Sequence, residues 1–89
     1  MAGEQKDAMV KISPREAEVL RFLAQGLTNK EVAKKMEISD QTVKNHLMSI
    51  SKKTGINNRT LLALFALRNG YVTQESIDQT ISEYKRSTT

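Results

Sequence analysis

Apolar residues along this chain recur every three or four positions, the spacing of one face of a helix, so the pattern predicts an all-α protein. The stretch that organises the rest runs from Ser39 to Thr54. At 100° per residue, Val43, Leu47, Ile50 and Thr54 fall on one stripe, while Gln41, Lys44, Asn45, Met48 and Lys52 fall on another. The first stripe is suited to a core. The second carries amide, ammonium and thioether groups and no acid.

The segments before it punctuate themselves. Ser13, Pro14 and Glu16 form a capping box that starts a helix, Ala17, Leu20, Leu23 and Ala24 supply its buried stripe, and Gly26 ends it. A second box at Thr28 and Glu31 starts a short helix that ends near Met36. It turns Val32, Ala33 and Met36 inward and Lys30, Lys34 and Lys35 outward, with Leu27 stapled onto Val32. Only Glu37 and Ile38 separate it from Ser39, the next N-cap, and Ile38 can staple onto Val43. So short a link makes the two helices cross steeply, as in a helix-turn-helix.

Gly55 closes the long helix and Ile56 folds back over its last turn. A fourth helix is expected from Asn58 to Asn69, stopped by Gly70. It holds an unbroken apolar run from Leu61 to Leu67, so it is apolar on every side. Its surplus face is most simply buried against a second copy of the chain, the alternative being a fully packed central helix. After Thr73 a fifth helix is expected, with Ile77, Ile81 and Tyr84 on one side and Val72 stapled to Ile77. The domain therefore spans residues 12–72. Residues 1–11, mixed and aperiodic, read as a flexible arm or linker, and residues 73–89 as an additional C-terminal helix and tail.

Charge changes the picture more than length does. Of the net +4 carried by 89 residues, residues 28–68 hold eight basic and three acidic groups, residues 1–27 four of each, and residues 69–89 two basic and three acidic. The excess positive charge lies on the central segment, as expected of a surface that meets a polyanion. The chain has no cysteine, hence neither disulfides nor a thiolate metal site. It has no apolar run of membrane-span length and no signal-peptide pattern at its start, so a cytoplasmic protein with no membrane partner is expected.

Single residues offer little other chemistry. His46 is the only histidine and lacks acidic or cysteine companions, so it reads as a packing or phosphate contact rather than a metal ligand. The sequon at Asn58 is better explained by an N-cap asparagine. Met36 reads as a gap-filler and Met48 as a contact residue. Arg59 reads as a phosphate anchor or as an intrachain partner of Glu31 or Asp40. No paired carboxylates, nucleophile–base pair or glycine-rich phosphate loop appears, so neither an enzyme nor a cofactor is expected.

The segments ISPREAEVL (Ile12 to Leu20), TNKEVA (Thr28 to Ala33), ISDQTVKNH (Ile38 to His46) and KTGINNRT (Lys53 to Thr60), with Gly26, resemble the GerE-like helix-turn-helix domain of the LuxR family of bacterial transcription regulators. The resemblance covers about two thirds of the chain. It implies a four-helix domain that binds double-stranded DNA as a homodimer through its fourth helix. By position, Lys44 and Asn45 match the family's groove-reading pair. Met48 matches a contact position often basic in relatives, and Leu61 a position usually polar there.

The residues and the resemblance together predict a sequence-specific transcription regulator that inserts the helix Asp40–Lys53 into the major groove on an inverted repeat. Lys44, Asn45, Met48 and Gln41 are the base-contacting candidates. Thr28, Asn29, Lys30, Thr42, Lys52 and Arg59 are the phosphate-contacting ones, the first of them at a helix N-terminus with free backbone N–H groups. Leu61, Leu64, Phe65 and Arg68 form the candidate dimer interface. RNA polymerase is a further expected partner. The alternative readings are a protein-interaction module, acting as an antirepressor or adaptor, and an architectural protein without sequence preference. The domain stands either alone or as the output end of a longer response regulator.

Overall fold

The structure is a computed structural model that describes residues 10–88, so residues 1–9 of the expected arm lie outside the described residues. Five helices follow in order: α1 (Pro14–Ala24), α2 (Asn29–Met36), α3 (Asp40–Thr54), α4 (Arg59–Arg68) and α5 (Gln74–Thr88). No strand occurs among the described residues. The long helix ends at Thr54 with Gly55 as its cap, as expected, and α4 begins and ends one residue inside its expected bounds because Asn58 and Asn69 serve as its caps.

Local chemistry sets these limits. Both capping boxes form. Ser13 Oγ accepts from the Glu16 amide at 3.2 Å while Glu16 Oε1 accepts from the Ser13 amide at 2.9 Å, and Thr28 and Glu31 repeat the exchange at 3.2 and 2.8 Å. The Thr28 amide and hydroxyl hold the Glu31 carboxyl below its ordinary range. Ser39 caps α3 by accepting from the Thr42 amide at 3.0 Å, and Asn58 caps α4 by accepting from the Leu61 amide at 3.0 Å.

The other ends close in paired turns. After α1, the Leu27 and Gly26 amides donate back to the Phe22 and Leu23 carbonyls, with Gly26 at φ 88°. After α2, the Ile38 and Glu37 amides reach the Ala33 and Lys34 carbonyls in the same way, but the residue in the left-handed region is Glu37, at φ 57°. Thr54, expected as part of the apolar stripe of α3, instead uses its hydroxyl, donating to the Ile50 carbonyl and accepting from the Ile56 amide.

Helix α1 packs on α4, α3 and α2, and α2 packs on α3. Val19, Leu20, Val32, Val43, Ile50 and Ala66 are sealed from solvent at the centre. Burying each of the larger aliphatic groups stabilises the fold by roughly 1.5–3 kcal/mol. The buried side of α1 is Glu16, Val19, Leu20 and Leu23, with Ala17 and Ala24 only half-buried. The stripe is therefore rotated toward Val19 from the expected one, because α1 meets three helices and not a single face.

Helix α4 is not apolar on all sides to no purpose. Leu62, Phe65 and Ala66 face α1, and Phe65 stacks on Tyr71 with ring centroids 6.3 Å apart. Phe65 is 3% exposed and belongs to the core, which removes it from the expected dimer stripe. Leu61 and Leu64 do lie outward, 52% and 54% exposed, with Leu67 beside them.

Candidate nucleic-acid interface

The interface is built by α3, whose Val43 and Ile50 are fixed in the core while Leu47 packs partly against it. With that stripe held, Gln41, Lys44, Asn45, Met48 and Lys52 are all exposed along the opposite edge, and no acid stands among them. Gln41 Nε2 donates to Asn45 Oδ1 at 3.1 Å, so these two amides, one helical turn apart, present themselves as a linked pair. Such a pair still offers the Asn45 amide hydrogens and the Gln41 carbonyl to an outside partner.

The phosphate candidates fall into two groups. Thr28, Asn29 and Arg59 come together where the N-termini of α2 and α4 meet: Arg59 donates to Asn29 Oδ1 at 2.8 Å and to the Leu27 carbonyl at 2.6 Å. Its intrachain partners are thus these two groups and not Glu31 or Asp40, since the guanidinium crosses to the backbone before the α2 cap. Thr42 and Lys52 belong to α3 itself. Thr42 shares a 2.8 Å hydrogen bond with the Ser39 hydroxyl, and Lys52 lines a groove of about 460 Å³ with Met48, Ser51, Asn57 and Arg59. The groove joins the two groups. Lys30 is exposed on the first turn of α2, whereas Lys34 and Lys35 border a second groove shared with α5.

The hydrophobic pattern did not disclose what holds the other flank of α3. Glu16, only 4% exposed, accepts from Ser49 Oγ at 2.7 Å through Oε2 and from Lys53 Nζ at 2.7 Å through Oε1, besides closing the capping box of α1. Burial pushes its carboxyl up. The hydrogen bonds from Lys53, the Ser13 amide and Ser49, together with the Lys53 charge, outweigh that and bring it down to about 2. One residue therefore starts α1 and pins the second half of α3. Two signals pointed to it: Glu16 stands three, four and seven positions before Val19, Leu20 and Leu23, on a core line, and Ser49 and Lys53 stand four apart on one flank of α3.

Among the described residues no group of three or more histidine, cysteine, aspartate or glutamate side chains could hold a metal ion, and no helix is long and apolar enough to cross a membrane. His46 is half-buried on the flank of α3.

Two helices crossing at a tight turn, with the second displaying an acid-free polar edge, define a helix-turn-helix domain. Residues 10–66 match the family described as bacterial regulatory proteins, luxR family, also called GerE, and the chain belongs to it. It is 40% identical over 67 residues to the transcriptional regulatory protein LnrK of Bacillus subtilis, covering 75% of this chain and 30% of that protein. It is 37% identical over 68 residues to the nitrate/nitrite response regulator protein NarP of Escherichia coli, covering 76% and 32%. It is also 37% identical over 65 residues to the DNA-binding transcriptional activator DevR/DosR of Mycobacterium tuberculosis, covering 73% and 30%. The chain thus spans about a third or less of the length of these relatives. Membership places it among regulatory proteins and not among enzymes.

Proposed function

We propose that this domain regulates transcription in the cytoplasm by sequence-specific binding of double-stranded DNA, with α3 in the major groove and Gln41, Lys44, Asn45 and Met48 at base edges. The observation that carries this is the acid-free exposed edge of α3, held outward by a core stripe on one side and by Glu16 on another. Lys30 and Lys52, the N-terminus of α2 at Thr28 and Asn29, Thr42 and Arg59 supply the phosphate contacts. The linked Gln41–Asn45 amides suit adenine, which offers one acceptor and one donor in the major groove. As in a response regulator such as the NarP relative, the input signal would act through a separate domain, and RNA polymerase would be met on the promoter.

Asn45→Ala is expected to weaken binding to the preferred site by ~1–3 kcal/mol and binding to random DNA by much less. In vitro selection of the bound sequence, followed by titration of both DNAs, measures this. Equal losses on the two would remove Asn45 from base reading.

The second part of the proposal is a homodimer on an inverted repeat with half-sites ~10 base pairs apart, joined through the outer face of α4. With Phe65 in the core, that face is Leu61, Leu64, Leu67 and Arg68. It is small, so pairing there is weak until DNA holds the two copies close. Leu64→Glu sets two carboxylates near the axis. It is expected to abolish cooperative binding to the full operator while leaving a folded domain with half-site affinity, read by titration against full and half sites. Undiminished cooperativity in a folded variant would place the contact elsewhere.

A further inference from the structure

Met48 is the one large apolar side chain that α3 leaves open to water, 60% exposed. It stands in the middle of the polar edge. At 100° per residue it lies about 20° from Gln41, about 40° from Lys44 and Lys52 and about 60° from Asn45, so the side chains that share its edge carry amide or ammonium groups. Leu47 and the buried Leu62 line the same groove as Met48, which gives the inner side of its chain apolar neighbours.

A single exposed methionine elsewhere on a surface would call for no explanation. This one occupies the edge that the function proposed above lays against base pairs, and there a thioether is selective. Guanine and adenine present N7 with an oxygen or an amino group beside it, and cytosine presents an amino group. A thioether donates nothing and accepts weakly, so against these bases it displaces water from polar groups and replaces no hydrogen bond. Thymine is different. Its C5 methyl is an apolar group on the major-groove edge, and covering it with methionine removes apolar surface from water on both partners. The flexible side chain can settle on that methyl without a shift of the helix.

The neighbours say where the thymine falls. Gln41 and Asn45, joined by their 3.1 Å hydrogen bond, suit adenine. Met48 is three residues beyond Asn45, ~4.5 Å of helix rise against ~3.4 Å between base pairs, so its base lies within about two pairs of that adenine.

Resting on that reading of α3, we propose that Met48 is a specificity-determining residue: through the C5 methyl it selects a thymine within about two base pairs of the adenine bound by the Gln41–Asn45 pair.

In vitro selection of the DNA bound by the whole chain, followed by replacement of each thymine of the half-site by deoxyuridine, tests this, because deoxyuridine lacks only the methyl. At one thymine in that interval the replacement should weaken wild-type binding about fourfold, the effect of one methyl group returned to water. Met48→Ala removes an exposed group and leaves the core untouched. It should bind the thymine and deoxyuridine sites within about 1.5-fold of each other, and Met48→Leu, which restores an apolar surface, should recover the distinction. Wild-type binding indifferent to deoxyuridine throughout the interval would overturn the proposal, and so would a fourfold loss that Met48→Ala shows in full. Either result leaves DNA recognition by α3 standing. Failure of the wild type to select any sequence would instead remove that reading, and this proposal with it.

Discussion

Replacing Lys53 by methionine is expected to destabilise the domain by about 2–3 kcal/mol, although the lysine is partly exposed. Removing one partner of a buried ion pair costs about 3–5 kcal/mol because the remaining charge stays in a poorly solvating site. Here the remaining charge is Glu16, whose side chain is 6% exposed while that of Lys53 is 37%. The Ser49 hydroxyl and the Ser13 amide would still bond to the carboxylate, which is why the lower part of that range or less is expected. Urea unfolding of the wild type, Lys53→Met, Glu16→Gln and the double variant measures both the loss and the coupling. The double variant should be more stable than the sum of the single losses implies. A Lys53→Met variant within about 0.5 kcal/mol of wild type would mean that the pair contributes nothing net.

The second large effect is a loss of stability in acid. Glu16 titrates near 4.5 when exposed and near 2 in the fold, so between those values the unfolded chain binds more protons than the folded one. Stability therefore rises with pH through this window. The contribution of Glu16, about 3 kcal/mol from the separation of the two values, is complete above about pH 5 and is lost as the pH falls toward 2. Glu31, also held below its ordinary value, acts in the same direction from an exposed position. Unfolding free energies at pH 7, 5, 3 and 2 should follow this course in the wild type. In Lys53→Met the decline should begin at a higher pH, since the carboxyl then loses the largest of the interactions that oppose the effect of burial. A wild type equally stable at pH 5 and 2.5 would contradict the assignment.

Both effects arise from contacts that the chain's local pattern conceals. Ser13, Thr28, Ser39 and Asn58 were legible as caps because each acts on an amide three residues ahead, and that interaction is complete within one turn. The orientation of α3 was legible for a similar reason: Val43 and Ile50 leave only one way to turn a helix whose other edge is polar. Glu16 and Lys53 are 37 residues apart: the core line of Glu16 marks it for burial and the Ser49–Lys53 spacing marks one flank of α3, but only the folded chain joins the two. Phe65 was misplaced because α4 is apolar around its whole circumference, so periodicity cannot say which side meets α1. In α5 the stripe itself was plain. Which way it faced depended on how the Gly70–Thr73 turn delivers the helix to the body, and only the folded chain displays that.

Glu37 gives the helix-turn-helix a mechanical property of its own. The turn between α2 and α3 needs one residue at φ 57°, where glycine would sit without strain and a residue with a Cβ costs roughly 1–2 kcal/mol. A glycine there could also swing freely into other conformations. Glutamate cannot, and with the Ile38 and Glu37 amides bonded to the Ala33 and Lys34 carbonyls the turn has few positions to explore. The junction behaves as a stiff bracket and not as a hinge. The angle between the two helices is set before any partner arrives, and the ordering entropy that a looser turn would lose on binding is lost during folding instead.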